Sequence, residues 1–420
     1  MKLRIAIIAT LIVALLGAWQ PITQAQDGSS RDAAWREDLA TLAVELPPRH
    51  IAPFAKVSQT DFEAAVADLE AAIPTLSDEQ ITVRLMQVVA LLGDSHTALA
   101  LNFTPESLVF PLNFYSFSDG MYLLVAPAEY SAALGGRLVM IQDTGIEDVI
   151  AALGTALPHA NKGWLRVMAA QSLPSAMLLV GLGIIPDMTQ ATFTFETRGG
   201  KTVALDVLST PRSQLSGLAW ELALDPTAIP AAFGSHNPPN YWYEVLADSG
   251  TLHIGYAICA EAESWPFADF MADALAVLDS QPVERVVIDL RANSGGDSRI
   301  LEPLIEALAQ RDDMNQPGRL FVLIGPRTYS SAILNAIQFR QRTAAILVGE
   351  PTGGEPNHYG EIKEFTLPNS GLRVFYSTKR FVYIEGDDSS ALEPDRLVPL
   401  TAADLFAGRD PVLEAVIAWE

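Results

Sequence analysis

The segment Thr328-Tyr329-Ser330-Ser331-Ala332 places two serines where a strand pattern over 320–324 gives way to a helical pattern from Ser331. A hydroxyl at such a turn is exposed at a helix N-terminus, a geometry suited to a nucleophile. Serine is also the commonest N-cap, so one of the pair could serve only to cap. Arg291-Ala292-Asn293-Ser294-Gly295-Gly296-Asp297 follows a second strand pattern, 286–290. Gly295 and Gly296 would let backbone N–H groups approach a ligand closely, or would simply supply positive φ for a turn. Asp94-Ser95-His96-Thr97 is polar in an apolar neighbourhood, and its histidine is either a base or a hydrogen-bonded structural residue. Gly349-Glu350-Pro351-Thr352-Gly353-Gly354 closes a further strand as a rigid turn.

These residues need elements to hold them. Residues 32–92 read as helical, with Phe62, Val66 and Leu69 at helical spacing and Ser77-Asp78-Glu79-Gln80 as a capping box. Gly93 ends that stretch. Strand patterns follow at 109–117, 121–125, 137–141, 192–197 and 202–207, which define a small β-rich module with one or two helices. Residues 208–240 carry five prolines and little periodicity, as a linker or crossing loop would. Beyond 240, strands at 251–258, 286–290, 320–324 and 345–348 alternate with helices at 265–278, 300–310 and 331–340, and a hairpin spans 365–376. That alternation predicts an α/β layered core with parallel strands, whose ligand site lies beyond their carboxyl ends.

Composition narrows the partners. With 49% apolar and 18% charged residues in 420, the chain has ample material for a core. Its net charge of −23 disfavours nucleic acid and anionic lipid. A single cysteine, Cys259, allows no intrachain disulfide and no cysteine-based zinc site, and six scattered histidines contain no HExxH. No metal or cofactor is therefore expected. Lys2 and Arg4 precede an apolar run from Ile5 to Trp19, and Thr23-Gln24-Ala25 fits a cleavage site. Residues 1–25 read as a signal peptide, Gln26 as the mature N-terminus, and the protein as exported to the periplasm or outside the cell. An uncleaved anchor is the other reading, although a bilayer span needs about 20 apolar residues.

Taken together, strand, Asp-Leu-Arg-x-Asn-x-Gly-Gly, helix, strand, Thr-x-Ser-Ser-Ala, helix, strand, Gly-Glu-Pro-Thr-x-Gly resembles the C-terminal processing (tail-specific) serine peptidase family. Glu393-Pro394-Asp395 and Gly408-Arg409-Asp410-Pro411 are similar to its closing motifs. The Gly93–Thr97 segment resembles the element of the branch holding the tricorn core and the interphotoreceptor retinoid-binding protein. The resemblance implies an α/β fold with a ClpP/crotonase-like core over 241–420. Before it would come a helical region, 26–105, a β-rich module over 106–210 resembling a degenerate PDZ domain, and a linker, 211–240.

It further implies Ser330 as nucleophile, with N–H groups of Ser331 and of Gly295 or Gly296 as the oxyanion hole. Glu355 stands where the lysine-dyad branch has its lysine, with Lys363 the nearest lysine downstream. The histidine branch would instead use His96 as base, preceded by Ser95, with Glu385 orienting the network. The expected function is an exported serine peptidase acting on peptide or protein substrates through an acyl-enzyme. Hydrolysis of esters or small peptides is a neighbouring reading. A non-catalytic protein binding apolar ligands on the same fold is the alternative.

Overall fold

The computed structural model describes residues 28–419 apart from Ser235, so the expected signal peptide and cleavage site lie outside the described residues. Among the described residues, no helix is long and apolar enough to cross a membrane.

The C-terminal half is built on a six-stranded sheet. Thr251–Tyr256, Arg285–Asp289, Leu320–Ile324, Ile346–Gly349 and Arg396–Leu397 lie parallel in that order, and Tyr241–Leu246 adds an antiparallel edge. Its central strands are hydrophobic throughout because helices cover both faces. Strand alternation sends Val286, Ile288, Leu320, Val322 and Ile324 to one face, packed with the helices Phe267–Ser280, Glu302–Ala309 and Ser331–Arg342. Val287, Phe321 and Leu323 take the other, against Val412 and Val416 of the helix Pro411–Ile417. The predicted parallel α/β core is what the structure contains.

The helices Gly28–Arg49, Gln59–Ala72 and Asp78–Ala90 precede this half. The last carries the capping box read at Ser77 and Gln80. A seven-stranded sheet follows, with helices Ile146–Ala156, Lys162–Ser172 and Ala176–Gly181 inserted between two of its strands. There are three of these helices, one more than the sequence patterning suggested. Within 211–240, Trp220–Leu222 pairs with the strand Gly120–Pro127, so part of that stretch is an edge of the sheet.

One hydrophobic core joins the N-terminal helices, the middle sheet and Leu367, Leu372, Val374 and Tyr376 of the C-terminal hairpin. The hairpin strands His358–Thr366 and Arg373–Phe381 form a small sheet with Ala98–Ala100, the strand directly after His96. That pairing carries the His96 loop across the sequence to the parallel core.

Candidate active site

Three loops at the carboxyl ends of the parallel strands are stitched to one another. Asn293, fully buried, donates from its side chain to Tyr256 O at 2.8 Å, and its carbonyl accepts from Tyr329 N–H at 3.0 Å. Thr328 Oγ1 donates to Leu290 O at 2.9 Å, and Thr328 O accepts from Gly353 N–H at 2.9 Å. The turn before the helix Ser331–Arg342 is thus fixed from both sides.

Ser330 occupies that turn at φ +52° and ψ −125°, a left-handed backbone rare for a side chain with a Cβ. Its hydroxyl makes no cap bond to the helix. It lies 3.1 Å from His96 Nε2 instead. Cys259, the other nucleophilic type present, is buried, and desolvation pushes its thiol up to about 12. It stays protonated and is a poor nucleophile.

The other imidazole nitrogen settles the tautomer. Tyr329 O–H donates to Ser95 Oγ at 2.7 Å, which leaves the phenol oxygen as acceptor toward His96 Nδ1 at 3.1 Å. His96 therefore carries its hydrogen on Nδ1 and offers Nε2 to Ser330, the arrangement a base requires. The ring lies between Tyr329, 4.7 Å away in a stack, and His358, 5.2 Å away. Trp164 from the helix Lys162–Ser172 stacks on the far side of Tyr329 at 4.0 Å and 2°.

Asp94 lies beneath this group without touching Nδ1. Its Oδ1 accepts from the backbone N–H of His96 at 3.0 Å and stands 4.0 Å from Nδ1. Its Oδ2 accepts from His50 Nε2–H at 3.0 Å, Thr97 Oγ1 at 2.6 Å and Ser377 Oγ at 2.6 Å. Burial alone would push the Asp94 carboxyl up. The His50 bond, attraction to His96 and the two hydroxyls win, and hold it well below the usual carboxylate range. For His96, burial is the largest influence and lowers it to about 4, against the pull of Asp94 and with a further push from His358. The imidazole is neutral at pH 7.

The glycine loop faces Ser330 closely. A Cβ on Gly295 would stand 2.8 Å from Ser330 Cβ, and one on Gly296 would stand 2.2 Å from Cys259 O. Both have positive φ, +111° and +131°, so neither position admits a side chain. Gly295 N–H donates to Asn293 Oδ1 at 2.9 Å and is committed there. The amides of Gly296 and Ser331 donate to no acceptor among the described residues. Ser331 Oγ donates to Gly296 O at 2.6 Å, clamping the helix start onto the loop.

No family model and no curated protein matches the sequence. Among solved structures, mature CPAF complexed with lactacystin is similar with a TM-score of 0.67 and 15% identity, over 92% of this chain and 97% of that one. Mature CPAF alone gives a TM-score of 0.65 and 16% identity, over 92% and 96%. The chain has the CPAF fold. A weaker likeness, TM-score 0.42 and 14% identity, is found to the photosystem II D1 C-terminal processing protease.

Within this CPAF fold, the residues singled out from sequence divide clearly. Ser330, His96, Ser95, Gly295, Gly296 and Ser331 come together. Glu385 does not: it is exposed in the loop after Arg373–Phe381, and the Nδ1 position it was expected to support is taken by Tyr329. The loop after Arg373–Phe381 carries Glu385 into solvent, and the Nδ1 edge of the ring is already met by the Tyr329 phenol oxygen. Glu355, in the dyad-lysine position, is ion-paired with Lys56 at 2.6 Å, and Lys363 is exposed on the hairpin. Asp94, Tyr329, His50, His358, Ser377 and Trp164 were not assigned from sequence. The run of polar residues 94–97 was a usable sign for Asp94, and Tyr329 sat inside a noted motif. The others arrive only through tertiary pairing.

A cleft of about 580 Å³ lies elsewhere, between Ala65, Arg84, Gln87, Leu91, Thr155 and His159.

Proposed function

We propose that this chain is a serine peptidase in which Ser330 attacks a peptide carbonyl and His96 is the general base. The observation that carries the reading is Ser330 Oγ at 3.1 Å from His96 Nε2, bridging 234 positions of sequence, with the hydroxyl on a strained strand-to-helix turn.

A neutral His96 takes the Ser330 proton as Oγ bonds to the carbonyl carbon. The carbonyl oxygen then becomes an oxyanion, and the amides of Gly296 and Ser331 are the free donors to receive it. One such donor is worth about 10²–10³ in rate. Imidazolium returns the proton to the leaving amine, giving an acyl-enzyme on Ser330. Water activated by His96 releases the acid. Asp94, ionised and close to the imidazole, favours the imidazolium that forms in between. Neither Glu385 nor Lys363 has a part in this scheme.

Peptides or proteins are the substrates this reading implies. We further place the protein outside the cytoplasm, on the strength of the Lys2, Arg4, Ile5 to Trp19 and Ala25 pattern alone. The test is turnover of a denatured protein, with products identified by mass and new N-termini. Wild type should generate them and Ser330→Ala should not. Equal turnover by Ser330→Ala would end the reading.

A further inference from the structure

Serine hydrolases ordinarily use a carboxylate to hold the base imidazole by Nδ1. Here a carboxylate is near but occupied: Asp94 Oδ1 binds the His96 backbone and its Oδ2 receives three other donors. The atom in contact with Nδ1 is the phenol oxygen of Tyr329. A phenol can donate or accept, and the two choices have opposite effects. Donating to Nδ1 would move the imidazole hydrogen to Nε2, where it would block proton transfer from Ser330. Accepting from Nδ1–H leaves Nε2 open. The direction is set by the partner beyond, Ser95 Oγ at 2.7 Å, which takes the phenol's hydrogen.

We propose that Tyr329 is a positioning residue that fixes the productive tautomer of His96, with Ser95 deciding which way the phenol hydrogen points. This rests on the reading of His96 as base. The Tyr329 ring is rigid, sandwiched between Trp164 and His96 and buried at 7% exposure. Its proton is retained near neutrality, since burial raises the phenol well above its ordinary value, the Ser95 bond offsets only part of this, and the charges of Asp94 and Glu355 add to it. Other groups around the imidazole are His358, stacked on it, and Asp94 below, with His50 behind Asp94. None of them meets Nδ1 at hydrogen-bond distance.

The test follows fluorophosphonate modification of Ser330 as a function of probe concentration and pH. Tyr329→Phe keeps both ring stacks and removes only the acceptor. Its limiting modification rate is expected to fall on the order of 10²-fold, the lower end of what a general base contributes, at every pH above the acid limb. Half-saturating probe concentration should hardly change, and the melting temperature should fall by only a few degrees, since the buried Nδ1–H is left without its acceptor. Ser95→Ala frees the phenol to donate to Nδ1 and should lose rate in the same manner, while Ser95→Thr keeps the hydroxyl and should recover most of it. This second pair decides the matter if Tyr329→Phe does not fold. Wild-type limiting rates in both Tyr329→Phe and Ser95→Ala would overturn the proposal while leaving the Ser330–His96 reading intact. A wild-type protein that takes no adduct at Ser330 removes the base role of His96, and this proposal with it.

Discussion

Ser330 holds a backbone conformation that its side chain disfavours, at a cost of about 1–3 kcal/mol, and the three stitched loops impose it. Such strain should be visible when the side chain is altered. Ser330→Gly is expected to be more stable than Ser330→Ala by about 1 kcal/mol, because glycine reaches positive φ freely and that gain exceeds its entropy cost. Thermal unfolding of the two variants measures this, and an alanine variant as stable as the glycine one would mean the turn is unstrained. The His96 imidazole makes the pH dependence specific. Only the neutral form accepts the Ser330 proton, so reactivity should rise with pH through about 4 and stay flat through neutrality. From sequence, a lightly perturbed imidazole would have placed that limb near 6–7. Burial between two rings is what moves it down, and nothing in the local sequence of 94–97 reveals those rings. A measured limb above 6 would mean that the ring is solvated in the working enzyme.

Helices and strands determine which of these residues meet. The Ser330 loop and the glycine loop were legible because each follows an apolar strand of fixed length and opens a helix, a local pattern read directly from the residues. The His96 loop was legible as a motif, but its route to Ser330 was not. It depends on Ala98–Ala100 pairing with Arg373–Phe381, a contact spanning some 275 positions, from Ala98 to Phe375 for one pair. Glu385 was misplaced for the same reason, since the length of the loop after that strand does not say where it folds. The hairpin's turn is held to the first helix by Asp38, a fully buried carboxylate accepting from Asn369 N–H and Ser370 N–H, each at 2.8 Å. Asp38→Ala would leave two half-buried amides without their acceptor, at up to about 1–3 kcal/mol each. It is expected to lower stability by roughly 3 kcal/mol, readable by denaturant unfolding. A loss below 0.5 kcal/mol, the scale of a surface change, would show that the hairpin is anchored elsewhere.

The whole molecule couples the site to acid stability. His96 and His358 are buried with lowered affinity for protons, so the unfolded chain binds protons that the native one excludes. Stability from these two is complete above the ordinary histidine range near 6.5 and is lost as pH falls through it toward about 4. His253 works the other way. Buried against its will, it is raised by bonds to Asp289 at 3.2 Å and Glu244 at 3.0 Å, and favours the fold below 6.5. Two groups oppose one, and the melting temperature is expected to decline from pH 7 to pH 5. Asp94 and Asp289, both held well below the usual carboxylate range, extend the loss below pH 4. A melting temperature that rises on acidification to pH 5 would contradict this balance. Every element described here converges on one contact between residues 96 and 330, and it can be probed in a single labelling experiment. Purified protein treated with a fluorophosphonate at pH 7 and digested for mass mapping should carry one adduct, on Ser330, and His96→Ala should form it on the order of 10³-fold more slowly. No adduct on wild type, an adduct on another serine, or equal rates in the two proteins would contradict the account.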